Sequence, residues 1–159
     1  MPLVRPATRE DAGALLALID ALADYESLPR PDLAARRRLI DHGFGTKPWF
    51  HSLLAEHEGE MAGYALYFFT YSSFLAQPTL YLEDIFVRPE HRGHGVGTAL
   101  MRALVRQAFD EGCGRVEWQV LDWNRPAIDS YQRVGGEQLK EWLPFRLDRR
   151  AMEAFLASR

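Results

Sequence analysis

The chain has 159 residues, enough for a single domain with its own hydrophobic core, and we expect one domain over residues 1–159. Its composition, 47% hydrophobic and 26% charged, is that of a globular protein and excludes disordered and fibrous classes. A formal net charge of −3 lacks the basic excess that is typical of general nucleic-acid binders. The one cysteine, Cys113, excludes a disulfide within the chain, and no apolar run reaches membrane-spanning length. We therefore expect a cytoplasmic protein with neither nucleic acid nor a membrane as its partner.

The N-terminal part predicts one strand followed by two helices. Residues 3–5 form a short strand candidate, and Thr8 begins a capping-box pattern ahead of an apolar stripe at 3-to-4 spacing over residues 12–23. Asp32 is then placed to cap a second, shorter helix over residues 33–41.

The rest of the chain alternates between strand and helix patterns. Apolar, aromatic-rich runs at 50–56 and 61–71 flank Glu58-Gly59-Glu60, which indicates a hairpin, and a third strand is predicted at 79–87. The remaining predicted elements are a helix at 96–111, a strand at 115–121, a helix at 126–134, a strand at 144–147 and a helix at 149–157. This order predicts an α/β fold, in which a mixed sheet carries helices on both faces.

The most informative segment joins the third long strand to the helix after it, and reads Arg92-Gly93-His94-Gly95-Val96-Gly97. Closely spaced glycines let backbone N–H groups turn toward one point, and the start of the helix adds its positive dipole end, so this turn is suited to a diphosphate. The arginine adds a planar fork for phosphate oxygens. A phosphate-loop signature would need a lysine here, and a dinucleotide fingerprint would need glycine where Thr98 stands.

Two further pairs of residues stand out. Asn124 and Tyr131 are separated by two helical turns, so they share one side of the predicted helix. Glu83 and Asp84 are neighbours in an apolar strand, and strand alternation places at least one carboxylate beneath a helix. Such a carboxylate can attract an alkylammonium ion and accept its proton, although pairing with a buried arginine is the structural alternative.

With these motifs the chain resembles the GNAT superfamily of acetyl-CoA-dependent N-acetyltransferases. The segments LADYES (22–27), YFFTY (67–71) and YLEDIFV (81–87) resemble, more narrowly, the diamine (polyamine) acetyltransferases and their relatives that act on thialysine. The resemblance covers roughly residues 3–150. It implies a mostly antiparallel sheet with one splayed parallel strand pair, acetyl-CoA as cosubstrate, a small cationic amine as substrate, and a homodimer.

The resemblance also implies roles for individual residues. Glu83 corresponds to the catalytic base, acting directly or through water, and Tyr131 to the acid that protonates the coenzyme sulfur. The implied coenzyme contacts are Ile85, Phe86, Val87, Arg92, Gly93, His94, Gly95, Val96, Gly97, Thr98, Asn124, Arg125, Pro126, Ala127 and Tyr131. The implied substrate contacts are Tyr25, Glu26, Glu83, Glu117, Trp118 and Gln119.

Several alternatives stay open at this point. Cys113 offers an acyl-cysteine route, although no histidine lies near it in sequence, and His91 with His94 lacks the further ligands that a metal site needs. The acceptor is alternatively a protein amine or an antibiotic amine, or the domain binds acyl-CoA without catalysis. The apolar side chains near the C-terminus either pack on the chain's own sheet or against a second copy, and they are Met152, Phe155 and Leu156.

Overall fold

A computed structural model describes residues 1–158 of the protein. The chain forms two compact units, the first over Met1–Gln119 and the second beginning at Val120. The single domain over residues 1–159 stays a prediction, and Arg159 lies outside the described residues. Within residues 1–158, no helix combines the length and the apolar character that crossing a bilayer requires.

The first unit is built on a five-stranded sheet with the strands in chain order. The first three pairings are antiparallel and the last is parallel, as predicted. The strands are β1 (Leu3–Pro6), β2 (His51–His57), β3 (Glu60–Ser72), β4 (Gln77–Val87) and β5 (Arg115–Trp118), and the helices of this unit are α1 (Ala12–Tyr25), α2 (Leu33–Phe44) and α3 (Val96–Asp110).

Helices cover both faces of the sheet. Tyr64 and Phe86 are paired residues of β3 and β4, and they lie in one buried cluster with apolar side chains of α1. Their neighbours Gly63 and Val87 point to the opposite face. There the Leu100 side chain of α3 comes within 3.4 Å of the position that a Cβ on Gly63 would take. The predicted two-sided arrangement is therefore confirmed.

The parallel pair separates partway along β4. Thr79–Leu82 of β4 pairs with β5, and no pairing between the two strands continues beyond Leu82. On its other side β4 carries a bulge, because Asp84 lies opposite Leu66 whereas Leu82 lies opposite Tyr67, which leaves Glu83 without a partner residue. The end of β4 is thus bent and is paired only with β3.

The second unit contains helices α4 (Arg125–Arg133) and α5 (Arg149–Ala157). The strand predicted at 144–147 is wrong, because that segment pairs with no strand within the described chain. Its apolar residues match a strand pattern, but a strand requires a hydrogen-bonded neighbour, and Pro144 has no N–H to offer. The strand predicted at 115–121 is too long for the same reason, since its pairing ends at Trp118.

Candidate active site

The glycine turn before α3 has the backbone conformation of an anion-binding loop. Gly93 and Gly95 have φ angles of 80° and 81°, in the left-handed region that costs energy for other residues. A Cβ on either would meet nothing within 4 Å, so glycine is needed for its φ angle rather than for space. Gly95 caps α3, whose first-turn N–H groups have no acceptor in a preceding turn. These donors and the helix dipole fit a diphosphate.

The arginine of this loop joins three elements in one stack. The Arg92 Nε donates to the Val87 carbonyl oxygen at 2.9 Å. Its guanidinium carbon lies 4.9 Å from the Tyr25 ring centroid and 5.6 Å from that of Phe86. The rings of Tyr25 and Phe86 are themselves 6.3 Å apart. The structure thereby brings the loop, the end of β4 and the end of α1 together, including four of the predicted site residues.

A group of carboxylates lies where α1 ends over β4. The Tyr64 hydroxyl donates to Asp84 Oδ2 at 3.0 Å. Burial raises the pKa of Asp84 to about 6; the Tyr64 hydrogen bond opposes that rise, and the charges of Glu83 and Glu26 add to it. Burial, followed by the charge of Asp84, also raises the pKa of Tyr64 far above its usual value. Glu26, Glu83 and Asp84, named here the acidic cluster, therefore concentrate negative charge at one point.

The two neighbouring carboxylates of β4 lie in different surroundings. Glu83 is exposed at the bulge, whereas Asp84 is the carboxylate beneath the helix layer. The prediction that one of the two points inward is confirmed, and it is Asp84. Sequence reasoning missed Asp84 and its partner Tyr64 as site residues. Strand alternation could have identified Asp84, because it places one of the two carboxylates on the inward face. Nothing in the sequence indicates that Tyr64 donates a hydrogen bond to it.

The separation of β4 from β5 leaves a strand edge beside the glycine loop. Beyond Leu82, no strand within the described residues pairs with the β5 side of β4. Ile85, Phe86 and Val87 belong to this segment, and backbone groups on such an edge can pair with an extended ligand. Across the gap, β5 ends with Glu117 and Trp118, and Gln119 follows it. Glu117 forms an ion pair with Arg115 of the same strand.

The second unit holds the helix predicted to contact the coenzyme. Asn124 is the N-cap of α4, and Tyr131 follows seven residues later, so the predicted two-turn spacing is present. The helix ends in a Schellman motif, in which Gly135 has a φ of 88° and Gly136 N–H donates to the Tyr131 carbonyl at 2.9 Å. This closure holds Tyr131 in the last turns of a helix, and its role stays a prediction.

Two chemical alternatives can be compared with the structure. Burial, followed by the charge of Glu111, raises the pKa of the Cys113 thiol, which disfavours the thiolate that a nucleophile needs. Within residues 1–158, no group of three or more His, Cys, Asp or Glu side chains is arranged to hold a metal ion.

A glycine turn that opens a helix beside a splayed parallel strand pair is the arrangement that the resemblance to acetyl-CoA-dependent acyltransferases implies. The model of the Acetyltransferase (GNAT) family matches residues 15–136, across the boundary between the two units. The chain belongs to this family, and it is an N-acetyltransferase that takes its acetyl group from acetyl-CoA.

Named relatives agree with this assignment, and a solved structure shares the fold. A thialysine N-epsilon-acetyltransferase of Sus scrofa is 40% identical over 161 residues, 94% of each chain. An L-ornithine N5-acetyltransferase of Arabidopsis thaliana is 46% identical over 94 residues, 59% of this chain and 41% of that one. An integron cassette protein from the mobile metagenome of V. cholerae shares the fold, with a TM-score of 0.84, 19% identity, and coverage of 99% of this chain and 98% of that one.

Proposed function

We propose that the protein acetylates the terminal primary amine of a small cationic metabolite, either a lysine-like or ornithine-like amino acid or a related diamine. The observation that carries this proposal is the acidic cluster, which lies where α1 ends over β4, the strand that leads into the glycine loop. Relatives named for thialysine and ornithine, both amino acids with a terminal amine, support the same substrate class.

In this proposal the acidic cluster binds the ammonium group of the substrate. A carboxylate pays a desolvation cost when buried, and a nearby cation offsets it. Asp84, whose pKa burial raises to about 6, is ionised at neutral pH and gains from such a cation. The proposed substrate contacts also include two residues at the end of α1, Tyr25 and Glu26. On the other side of the strand gap they include Glu117, Trp118 and Gln119.

The coenzyme contacts follow from the loop and the strand edge. The loop N–H groups from Gly93 to Thr98 and the guanidinium of Arg92 hold phosphate oxygens, and the backbone of Ile85 to Val87 pairs with the extended arm. Asn124 to Ala127 at the start of α4 add further contacts. Bound acetyl-CoA supplies the acetyl group as a thioester.

The proposed proton transfers use one carboxylate and one phenol. An alkylammonium has a pKa near 10.4, so exposing its lone pair at pH 7 costs roughly 4.6 kcal/mol. Glu83 accepts that proton, directly or through water, and the nitrogen attacks the acetyl carbon. As the C–S bond breaks, Tyr131 donates its hydroxyl proton to the departing sulfur, and the second proton of the attacking nitrogen passes to the Tyr131 phenolate, directly or through water, so that the products are an amide and a thiol. Neither Cys113 nor a metal is needed.

The substrate class is tested with a panel of amines. Purified protein is incubated with acetyl-CoA and thialysine, ornithine, lysine, spermidine, an aminoglycoside or a peptide with a free N-terminus, and released thiol and acetylated product are measured. We expect kcat/KM for the small amino acids or diamines to exceed that for the others by at least about tenfold. Preference for the peptide or the aminoglycoside supports the protein-amine or antibiotic-amine alternative and overturns our proposal.

The role of Tyr131 has its own test. Tyr131→Phe is expected to lower kcat about 10²- to 10⁴-fold while the coenzyme Kd, measured by calorimetry, changes little. An unchanged kcat overturns the assignment of Tyr131 as the acid.

We also propose that the enzyme is a cytoplasmic homodimer. The family resemblance implies a dimer, and on α5 the side chains of Met152, Phe155 and Leu156 are exposed, an arrangement that a second copy would cover. Light scattering after size exclusion tests the dimer, and a monomer at all protein concentrations overturns it.

A further inference from the structure

Three histidines meet beside the glycine loop. His57 ends β2, His91 lies in the short turn after β4, and His94 belongs to the loop itself. The Nδ1 atoms of His57 and His91 are 3.1 Å apart, with the rings perpendicular. The rings of His57 and His94 are 5.1 Å apart and tilted by 32°. We name these three residues the histidine cluster, and neither the proposed acetyl transfer nor a metal site uses it as a unit.

The contacts of His91 restrict where protons can be placed. This side chain is buried, with 5% of its surface exposed, and its Nε2 lies 3.2 Å from Glu60 Oε2. A carboxylate only accepts hydrogen bonds, so Nε2 carries a proton. The Nδ1–Nδ1 contact with His57 then needs one shared proton. An extra proton on Nε2 of His57 would give the pair one positive charge without breaking either contact. A second extra proton would place N–H groups on both Nδ1 atoms and break the Nδ1–Nδ1 contact.

A carboxylate and a third ring lie against the His57–His91 pair. Glu60 is the carboxylate bonded to the cluster, with its Oε2 3.2 Å from His91 Nε2. The ring of His94 faces that of His57, so charges on both would repel. The other charged groups within three residues of a cluster histidine are Glu56 on β2, which accepts from Arg5, Glu58 in the hairpin turn, Arg88 and Glu90 in the turn after β4, and Arg92 in the loop. Arg88 and Arg92 donate from Nε to carbonyl oxygens of β3 and β4.

We propose that the histidine cluster takes up a proton when the phosphate groups of coenzyme A bind to the glycine loop, so that coenzyme affinity rises as the pH falls from about 8 to 6. The inference rests on the proposed role of the loop in holding the diphosphate. A polyanion beside His94 favours protonated imidazole in the cluster, and free imidazole titrates near pH 6.5. By linkage, a proton that is held more tightly in the complex makes the complex tighter at lower pH.

Calorimetry of coenzyme A binding tests this linkage. The heat of binding at pH 7 is measured in two buffers of different ionisation enthalpy, which gives the number of protons taken up, and Kd is measured between pH 6 and 8. His57→Gln removes the titrating ring, while its amide can still donate to His91. His51→Gln, on the same strand but outside the cluster, is the matched control. Protonation of coenzyme A itself is common to all three proteins and cancels in the comparison.

We expect the wild type and His51→Gln to take up about 0.3–0.7 more protons at pH 7 than His57→Gln. We also expect the Kd for coenzyme A to fall between pH 8 and pH 6 in all three proteins, and to fall about threefold to tenfold further in the wild type and His51→Gln than in His57→Gln. Equal proton uptake and superimposed pH profiles overturn the inference while leaving the coenzyme site intact. Failure of the wild type to bind coenzyme A at any pH instead overturns the proposed role of the loop.

Nuclear magnetic resonance keeps the inference testable if His57→Gln does not fold. The ring signals of the wild-type histidines are titrated with and without coenzyme A. The titration midpoints of His57, His91 and His94 signals should rise by about half a pH unit or more, and those of His42 and His51 should not move. Midpoints that coenzyme A leaves unchanged throughout the cluster overturn the inference.

Discussion

Two acidic regions, one along α1 and one where α1 ends over β4, differ in how their charge is compensated. Along the helix, Asp20 and Asp24 each accept bidentate hydrogen bonds, from Arg36 and Arg30 at 2.6–2.9 Å, and these bonds lower the pKa of both carboxyls. At the end of the helix, the acidic cluster forms no ion pair with lysine or arginine within the described chain, and the pKa of Asp84 is raised to about 6.

The comparison separates structural carboxylates from functional candidates. A carboxylate that is already neutralised by arginine has little to offer a cationic ligand, whereas an uncompensated cluster holds a negative potential that an ammonium ion can satisfy. Composition alone does not distinguish the two regions. Substitutions in the acidic cluster should therefore impair activity, and substitutions of the arginine-paired aspartates should not.

The largest expected effect is on turnover. Glu83→Gln should lower kcat by about 10²- to 10⁴-fold, because the substrate ammonium then loses its proton acceptor, and should shift the pH–rate profile. Stability should change by no more than about 0.5 kcal/mol, since Glu83 is exposed. Asp24→Asn is the matched control in the compensated region, and steady-state kinetics should find its turnover within about twofold of the wild type. Equal turnover in wild type, Glu83→Gln and Asp24→Asn would contradict the distinction.

The next effect is on substrate binding. Asp84→Asn should raise KM for the cationic amine about 10- to 100-fold, because a charged partner is lost. In the wild type kcat/KM should decline as the pH falls below about 6, where Asp84 is protonated. Kinetics over pH 5–8 measure both effects. A wild-type decline that persists unchanged in Asp84→Asn assigns it to another group.

Stability gives a third test, and its sign is opposite in the two regions. The pKa of Asp84 rises on folding from 3.8 to about 6, so its stabilising contribution is complete below pH 4 and is lost as the pH rises through 6. Asp84→Asn, which keeps an acceptor for Tyr64, should therefore be more stable than the wild type by about 1–3 kcal/mol at pH 7, and nearly equal to it at pH 4. Urea unfolding at both pH values measures this, and destabilisation at pH 7 would contradict it.

The smallest effect concerns the compensated region. The Arg36 hydrogen bond lowers the pKa of Asp20, so its stabilising contribution is present above the unfolded pKa and is lost as the pH falls. Asp20→Asn should cost about 0.5–1 kcal/mol at pH 7 and little at pH 3, with amine KM unchanged. The same unfolding and kinetic assays measure both, and a raised KM would show that this region also serves the substrate.

Local sequence signals predicted much of the fold and part of the site. The capping pattern at Thr8 is present, since Thr8 N–H donates to Asp11 Oδ2 at 2.8 Å, and Asp32 caps α2 through Ala35 N–H. Helix periodicity located α3 within one residue at its end, and glycine spacing located the loop. These features depend on residues a few positions apart, so the chain itself carries the information.

What the sequence by itself determined is therefore the order of the main elements, the glycine turn with its left-handed residues, and the helix that carries Asn124 and Tyr131. Only the tertiary structure decided which carboxylate of β4 lies beneath the helix layer, where β4 parts from β5, which aspartates of α1 meet an arginine, and that His57 meets His91 and His94 beside the glycine loop. Each of these depends on contacts between segments far apart in the chain, and the physical cost of burying or pairing a charge is set by those neighbours rather than by the residue's own sequence context.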